Sequence, residues 1–478
     1  MSNVIPDNAV QGIDQSKLRA GAMGTGGLVF TVVAMIGPMA AFLGATPLVF
    51  MLSGAGTPGI YLLATVLFLI FAVGYVAMSR RSKTASGLIA FIVKGLGIKA
   101  GVAASYVTLL TYVAVLSSLY GIHAVFLQQA AMELFGVDLP WGFWALVTLA
   151  VLTPLSYNRV EFSARIMGVL LVFAVAAILV LDFAILVQGG GSGGFTFEGF
   201  SPQLMFGPGI GLAALFALGS FVGVESTPVF SEEVRTPKTT IPRATYITII
   251  VLGVFYVFST LTVSNAVGAD KVMEVATENP TGFILDVAGT YVGPVWVKIL
   301  SVLVVTSFFA ILLGFANVMS RYVFALGRAG ILPAAVGRSH KKHQSPHVGS
   351  IVTAITVLVV IGAFIVTGSD PFHQLYTWLI AVGSLGVLLL MCGSSVAVVM
   401  YLRKSPDEEN VWTAVVAPMI AFVAFAVAIV LTILNFSFLA GGEGFAAWLW
   451  VLVPLAAVLG LIVRACQRNR ELSFDDIS

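Results

Sequence analysis

The chain has 478 residues, 59% of them hydrophobic, with 24 Lys+Arg against 22 Asp+Glu. A soluble chain carries about a quarter charged residues, so water-soluble domains, a disordered chain and a secreted enzyme are excluded together. The net charge of +2 is too near neutral to suggest nucleic acid, and two cysteines, Cys392 and Cys466, build no disulfide framework.

The apolar residues fall in blocks of about twenty, the length that crosses the hydrocarbon core as helix. The first block is preceded by a polar stretch with Asp7, Asp14, Lys17 and Arg19. Residues 1–24 therefore read as a cytosolic tail without a cleavable signal peptide. Twelve spans are predicted, at 25–52, 58–79, 100–130, 141–157, 163–188, 206–231, 243–267, 295–327, 348–368, 373–402, 411–435 and 444–466. With the N-terminus inside, every Lys and Arg except Lys271 and Lys298 falls on the inner side. That asymmetry predicts a multi-pass protein of the cell membrane with both termini cytosolic. Residues 25–188 form a first repeat, 206–402 a second, 411–466 two further spans, and 467–478 a cytosolic tail.

Two spans are not plain Leu/Val/Ala/Ile runs. The first carries Gly37-Pro38 near its centre, and proline removes a backbone donor and clashes one turn back. If Pro38 opens the outer half-helix, where its missing N–H is no loss, the amides of Met39 and Ala40 point into the gap and suit a carboxylate. Between the fifth and sixth spans, the glycine-rich run 189–194 lacks the Lys-Ser/Thr of a phosphate-binding loop and reads as a flexible outer connection. The sixth span combines Gly219, Gly223, Glu225 and Pro228. Its carbonyls around Phe216 to Gly219 are expected to be freed and to suit an ammonium. Interrupted helices at equivalent places in two halves point to a midplane binding site. In the inner loop after the eighth span, His340, Lys341, Lys342 and His343 lack a carboxylate or thiol partner, so no metal site is expected.

The run Phe221-Val222-Gly223-Val224-Glu225-Ser226, then Pro237-Lys238, then Ile241-Pro242-Arg243-Ala244-Thr245, closely resembles the sixth helix and following loop of the amino acid–polyamine–organocation (APC) superfamily, particularly its bacterial arginine/agmatine exchangers. Ser320-Arg321, Gly330-Ile331-Leu332-Pro333 and Pro346 resemble its eighth helix and inner loop. The resemblance implies an all-α integral membrane fold of five plus five inverted-repeat helices followed by two peripheral ones, working by alternating access. It implies that Met35, Ile36, Gly37, Pro38, Met39 and Ala40 line the carboxylate side of a substrate and that Phe216, Gly219, Ser220 and Val222 form the opposite wall. Thr111, Tyr112 and Phe315 fall where the exchangers place pocket residues. Gly37-Pro38-Met39 departs from the usual Gly-Ser-Gly toward the putrescine importers. Gly219 stands where the exchangers carry an aromatic gate, which leaves Phe221 as the nearest gating ring.

Acids within membrane spans are functional candidates because burying them is costly. Glu225 is assigned to proton coupling. Asp182, near the outer end of the fifth span, reads as structural and within reach of water, and His123 on the third as an interfacial polar residue. Sodium coupling lacks an evident device, since Thr306 and Ser307 fall opposite Ala310 and Ile311, a turn before the helix-eight hydroxyls of sodium-driven relatives. The fifth span has no lysine of the kind some proton-driven relatives use. No other cofactor is implied.

The function that follows is a secondary active amino acid transporter working by proton symport or exchange. A polyamine or organic amine importer of the same fold is the alternative, and a nutrient receptor without net transport a remote one. A membrane enzyme is not expected, because the spans offer no paired nucleophile and base.

Overall fold

The computed structural model describes residues 23–81, 87–157, 162–191, 193–231, 234–338, 346–404, 409–439 and 444–467. Most of the two expected tails, Ser192 of the glycine run and the His340 to His343 group lie outside the described residues. In chain order the helices are α1 Thr25–Ile36, α2 Pro38–Gly44, α3 Thr46–Ser53, α4 Thr57–Arg81, α5 Leu88–Leu96, α6 Ile98–Phe135, α7 Trp141–Tyr157 and α8 Phe162–Val187. They continue as α9 Pro202–Met205, α10 Ile210–Gly219, α11 Pro237–Val267, α12 Val272–Glu278, α13 Phe283–Tyr291 and α14 Pro294–Arg328. The last are α15 His347–Val366, α16 Thr377–Leu402, α17 Ala417–Leu434, α18 Phe436–Leu439 and α19 Leu452–Cys466.

Eleven helical stretches among the described residues are long and apolar enough to span a bilayer, and α7 is a shorter twelfth. The fold is all-α. The described residues include one isolated bridge, between Met23 and Val234, closed by the Arg235 N–H to the Met23 carbonyl at 3.1 Å.

The first span stops where the sequence says it must. Gly37 takes a left-handed conformation (φ 63°, ψ 73°) and donates its N–H to Val33, and Pro38 starts α2 as its first helical residue. A Cβ on Gly37 would run into the Ile311 side chain. Ala41 N–H bonds to Gly37, Ala45 N–H to Ala41 and Val49 N–H to Ala45, so α2 and α3 follow one another as the second half of the broken span. In the sixth span, α10 ends at Gly219, Gly223 adopts φ 116°, and 3₁₀ geometry runs from Val224 to Phe230.

Long helices pack on each other in pairs: α4 on α11, and α6 on α14. Small residues let them close, as at Gly253, where a side chain would meet Thr65. The sixth span is the most enclosed, with 83% of its apolar window buried, whereas α15 and the last two spans turn most of their surface outward. Those outer surfaces are the faces for lipid, and the broken helices sit at the centre.

Candidate functional site

A cavity lies between the two interruptions. Its walls come from α1 and α2 (Ile36, Ala40, Ala41), from Ala45, from the sixth span (Phe216, Gly219, Ser220, Val222), from α6 (Val115, Leu119), from α14 (Phe308, Ile311, Phe315), and from Tyr376, Ile380 and Ser384 at the start of the tenth span. Its volume is about 50 Å³, room for a few waters and too little for an amino acid, so this conformation must dilate to take one. The lining is apolar except for the hydroxyls of Ser220, Ser384 and Tyr376. Ser220 Oγ donates to the Phe216 carbonyl at 3.0 Å and lies 3.1 Å from Tyr61 Oη. Ser384 Oγ is buried without a hydrogen-bond partner among the described residues.

The polar resource of the cavity is its backbone. The last turn of any helix leaves carbonyls, and the first turn leaves amides, without intrahelical partners. At Gly37 these two ends meet: the carbonyl end of α1 at Ile36, and the amides of Met39 and Ala40 at the head of α2. In hydrocarbon such groups would cost several kcal/mol each, which is why the break is buried, with Ile36, Met39 and Ala40 at most 5% exposed. A partial positive and a partial negative charge thus face the same small volume.

The sixth span differs from the expectation. The carbonyls from Phe216 to Gly219 are not freed, because the turn tightens: Ser220 N–H bonds to Phe216 and Ala217, Phe221 N–H to Leu218, and Val222 N–H to Gly219. The Ser220 carbonyl accepts from Tyr256 Oη at 3.1 Å. Among the described residues it is the Val222 carbonyl that receives no donor, and Val222 lines the cavity.

Beneath the cavity lies an aromatic plug around Glu225. One carboxylate oxygen accepts the Gly223 N–H at 2.7 Å, the other accepts Tyr112 Oη at 3.4 Å, and the Glu225 carbonyl accepts Tyr75 Oη at 2.5 Å. Tyr112 also packs on Tyr322 and Phe315, with ring centroids 5.1 and 5.8 Å apart. Glu225 is 3% exposed and does not line the cavity. The carboxylate therefore holds the sixth-span turn to α6.

Of the residues expected to line a substrate site, Ile36, Ala40, Phe216, Gly219, Ser220, Val222 and Phe315 line this cavity. Gly37 and Pro38 form the break itself, and the side chains of Met35 and Met39 are not part of the cavity wall. Thr111 lies one turn before Val115 and packs against Gly386, and Tyr112 belongs to the plug. Phe221 is not at the cavity: it stacks on Phe68 at 5.0 Å and packs edge-on to Tyr256 at 5.5 Å, in the core between α4 and α11. Asp182 does not reach water. It is fully buried and accepts from Ser259 Oγ and Thr262 Oγ1, both at 2.6 Å, which ties α8 to α11. His123 is likewise buried, at 1% exposure, beside Phe308, not at an interface. Ser307 Oγ donates to Met39 Sδ at 3.8 Å, against the head of α2 and away from the carbonyl end of α1.

The tenth-span wall went unforeseen. The run Gly383-Ser384-Leu385-Gly386 was its one available signal, since small residues mark close approach in membrane helices.

Residues 26–473 match the family model described as amino acid permease. The chain is 23% identical over 304 residues to the branched-chain amino acid permease BcaP of Bacillus subtilis, covering 63% of this chain and 60% of that protein. A methylthioribose transporter of the same organism is 22% identical over 281 residues (59% and 56%), and its putative arginine/ornithine antiporter 27% over 244 residues (50% and 48%). These matches span from about half to three-fifths of each relative. Among solved structures, a mutant of the Eremococcus coleocola manganese transporter superposes with a TM-score of 0.57 at 13% identity, covering 96% of this chain and 97% of that one. The same transporter with an aromatic bis-isothiourea substituted compound gives 0.57 at 13% identity, over 98% and 99%. Those two structures share the fold.

Proposed function

Because the chain belongs to the amino acid permease family, we propose that it is a secondary active transporter of the cell membrane, with cytosolic termini, that carries zwitterionic amino acids with apolar, branched side chains. The observation that carries this reading is the junction at Gly37, where the carbonyl end of α1 and the amide end of α2 face one apolar cavity. The substrate carboxylate takes the Met39 and Ala40 amides. The ammonium takes the carbonyls of Ile36 and Val222. Its side chain lies among Val115, Leu119, Ile311, Phe315 and Ile380, a surface that suits the cargo for which the branched-chain relative is named. A cationic cargo such as that named for the arginine/ornithine relative would need an acid in the wall, and the nearest one, Glu225, is engaged below.

Alternating access follows from the same geometry. A cavity too small for its cargo opens outward when the sixth span moves from the tenth, and inward when the Glu225 plug separates. Protonation of Glu225 would weaken its hold on Gly223 and Tyr112, since a neutral carboxyl is a poorer acceptor than a carboxylate. Proton symport or exchange is therefore the coupling we favour. Uptake into proteoliposomes of labelled leucine, isoleucine, valine, arginine and putrescine, with pH and Na⁺ gradients imposed separately, tests the proposal. Leucine-type substrates driven by the pH gradient or by counter-substrate are the expected result; uptake of arginine or putrescine alone contradicts it.

A further inference from the structure

Two buried hydroxyls behind the cavity wall stand in line with one that belongs to it. Thr46 Oγ1, at the head of α3, lies 2.8 Å from Tyr61 Oη on α4, and Tyr61 Oη lies 3.1 Å from Ser220 Oγ, which reaches the Phe216 carbonyl at 3.0 Å. Thr46 and Tyr61 are fully buried and neither lines the cavity, whereas Ser220 does. The Tyr61 ring packs on Tyr256 with centroids 5.1 Å apart, and Tyr256 Oη donates to the Ser220 carbonyl at 3.1 Å. Ser220 is thus held through both its side chain and its main chain.

Counting protons gives the row a direction. Three contacts need three protons, and the three hydroxyls supply one each. A carbonyl only accepts, so Ser220 gives its proton to Phe216. Ser220 must then accept from Tyr61, and Tyr61 from Thr46. The reverse order would leave the Phe216 contact without a hydroxyl proton and the Thr46 proton without an acceptor among the described residues, a costly arrangement for buried groups.

The direction decides what Ser220 offers. A hydroxyl has two lone pairs. One accepts from Tyr61, which leaves the other for the cavity, so Ser220 faces a ligand as an acceptor and not as a donor. An ammonium brings three N–H donors, and the carbonyls of Ile36 and Val222 answer two of them. The Ser220 lone pair answers the third.

We propose that Tyr61, anchored by Thr46, is a positioning residue for amine recognition, which turns the Ser220 hydroxyl so that the site presents three acceptors to a primary ammonium. The proposal rests on the amino acid substrate inferred above. It makes the transporter selective for primary over N-methylated amino acids, because an N-methylammonium group carries two N–H donors and leaves one acceptor unpaired.

Proteoliposome uptake of labelled L-leucine and N-methyl-L-leucine by the full chain tests it, with kcat and KM taken for each. Wild type is expected to prefer leucine by about 10-fold or more in kcat/KM, the effect of one hydrogen bond left unmade. Tyr61→Phe removes a single oxygen that does not touch the cavity. It is expected to raise KM for leucine about 10-fold, with kcat kept and N-methylleucine nearly unaffected, so the preference collapses. Ser220→Ala should collapse it too, and the double variant should lose no more than either alone. Thr46→Val, which loosens Tyr61 without altering its ring, should shift the preference the same way by less, and serves should Tyr61→Phe fail to fold. No wild-type preference, a preference unchanged in the variants, or an equal loss for both substrates would overturn the role of Tyr61 alone. Absence of leucine binding and uptake by wild type would overturn the substrate class and, with it, this role.

Discussion

The N–H of Gly223 donates to the Glu225 carboxylate at 2.7 Å, two residues along the same interrupted span. That bond closes the turn in which Gly223 holds φ 116°, and the second carboxylate oxygen ties the turn to Tyr112 on α6. Removing the charge while keeping the shape separates the two jobs. Glu225→Gln is expected to fold and to bind leucine, but its uptake should fall about 10-fold or more and lose its pH dependence, because a charge-assisted bond is roughly twice as strong as a neutral one. Uptake profiles of both proteins between acidic and alkaline pH check this; superimposable profiles would remove Glu225 from coupling.

Phe221 offers the opposite case. Its ring is fully buried against Phe68 and Tyr256, so Phe221→Ala should destabilise the protein by about 3–5 kcal/mol and leave leucine affinity in the surviving folded fraction close to wild type. Thermal unfolding in detergent, paired with binding, reads both. A gating ring would give the reverse pattern.

Phe216 also lines a neighbouring cavity of about 460 Å³, and Phe216→Ala should open the partition between the two. In a Cys466→Ser background, with Cys392 buried, an external thiol reagent is expected to label Ser384→Cys much faster once Phe216 is truncated. Equal labelling rates would place the barrier elsewhere.

The Asp182 carboxylate should behave as a structural tie. Asp182→Ala strands the Ser259 hydroxyl in the buried contact between α8 and α11, while Thr262 Oγ1 keeps the Ser259 carbonyl as acceptor at 2.9 Å, with an expected loss of about 1–3 kcal/mol, measured as a lowered unfolding temperature. Asp182→Asn keeps an acceptor oxygen and should lose less.

The fold was legible because hydrocarbon thickness and backbone satisfaction dictate it: the predicted span 141–157 coincides with α7, and Gly37-Pro38 broke the first span where it was read to break. The site was legible only in part. Ile36 and Ala40 follow from the break itself, but Tyr376, Ile380 and Ser384 reach the cavity through the crossing of the tenth span over α6, where the small residues 383–386 signal close approach but not which wall is approached. Thr111 and Val115 lie one helical turn apart, and depth along a span is what sequence periodicity leaves undetermined. Phe221 was misread because an aromatic two residues past Gly219 can turn to either side of the sixth span, and packing against Phe68 decided which.

The paired helix ends at Gly37 are proposed to grip both charges of one amino acid. Competition against labelled leucine uptake in proteoliposomes by unlabelled leucine, 4-methylpentanoate and 3-methylbutylamine tests it most directly. Leucine alone should compete strongly, the two half-charged analogues each weakening by about 100-fold or more, as befits loss of a charge-assisted hydrogen bond worth about 1.5–3 kcal/mol and the polar groups it leaves unpaired. Inhibition by the amine equal to that by leucine would contradict the account.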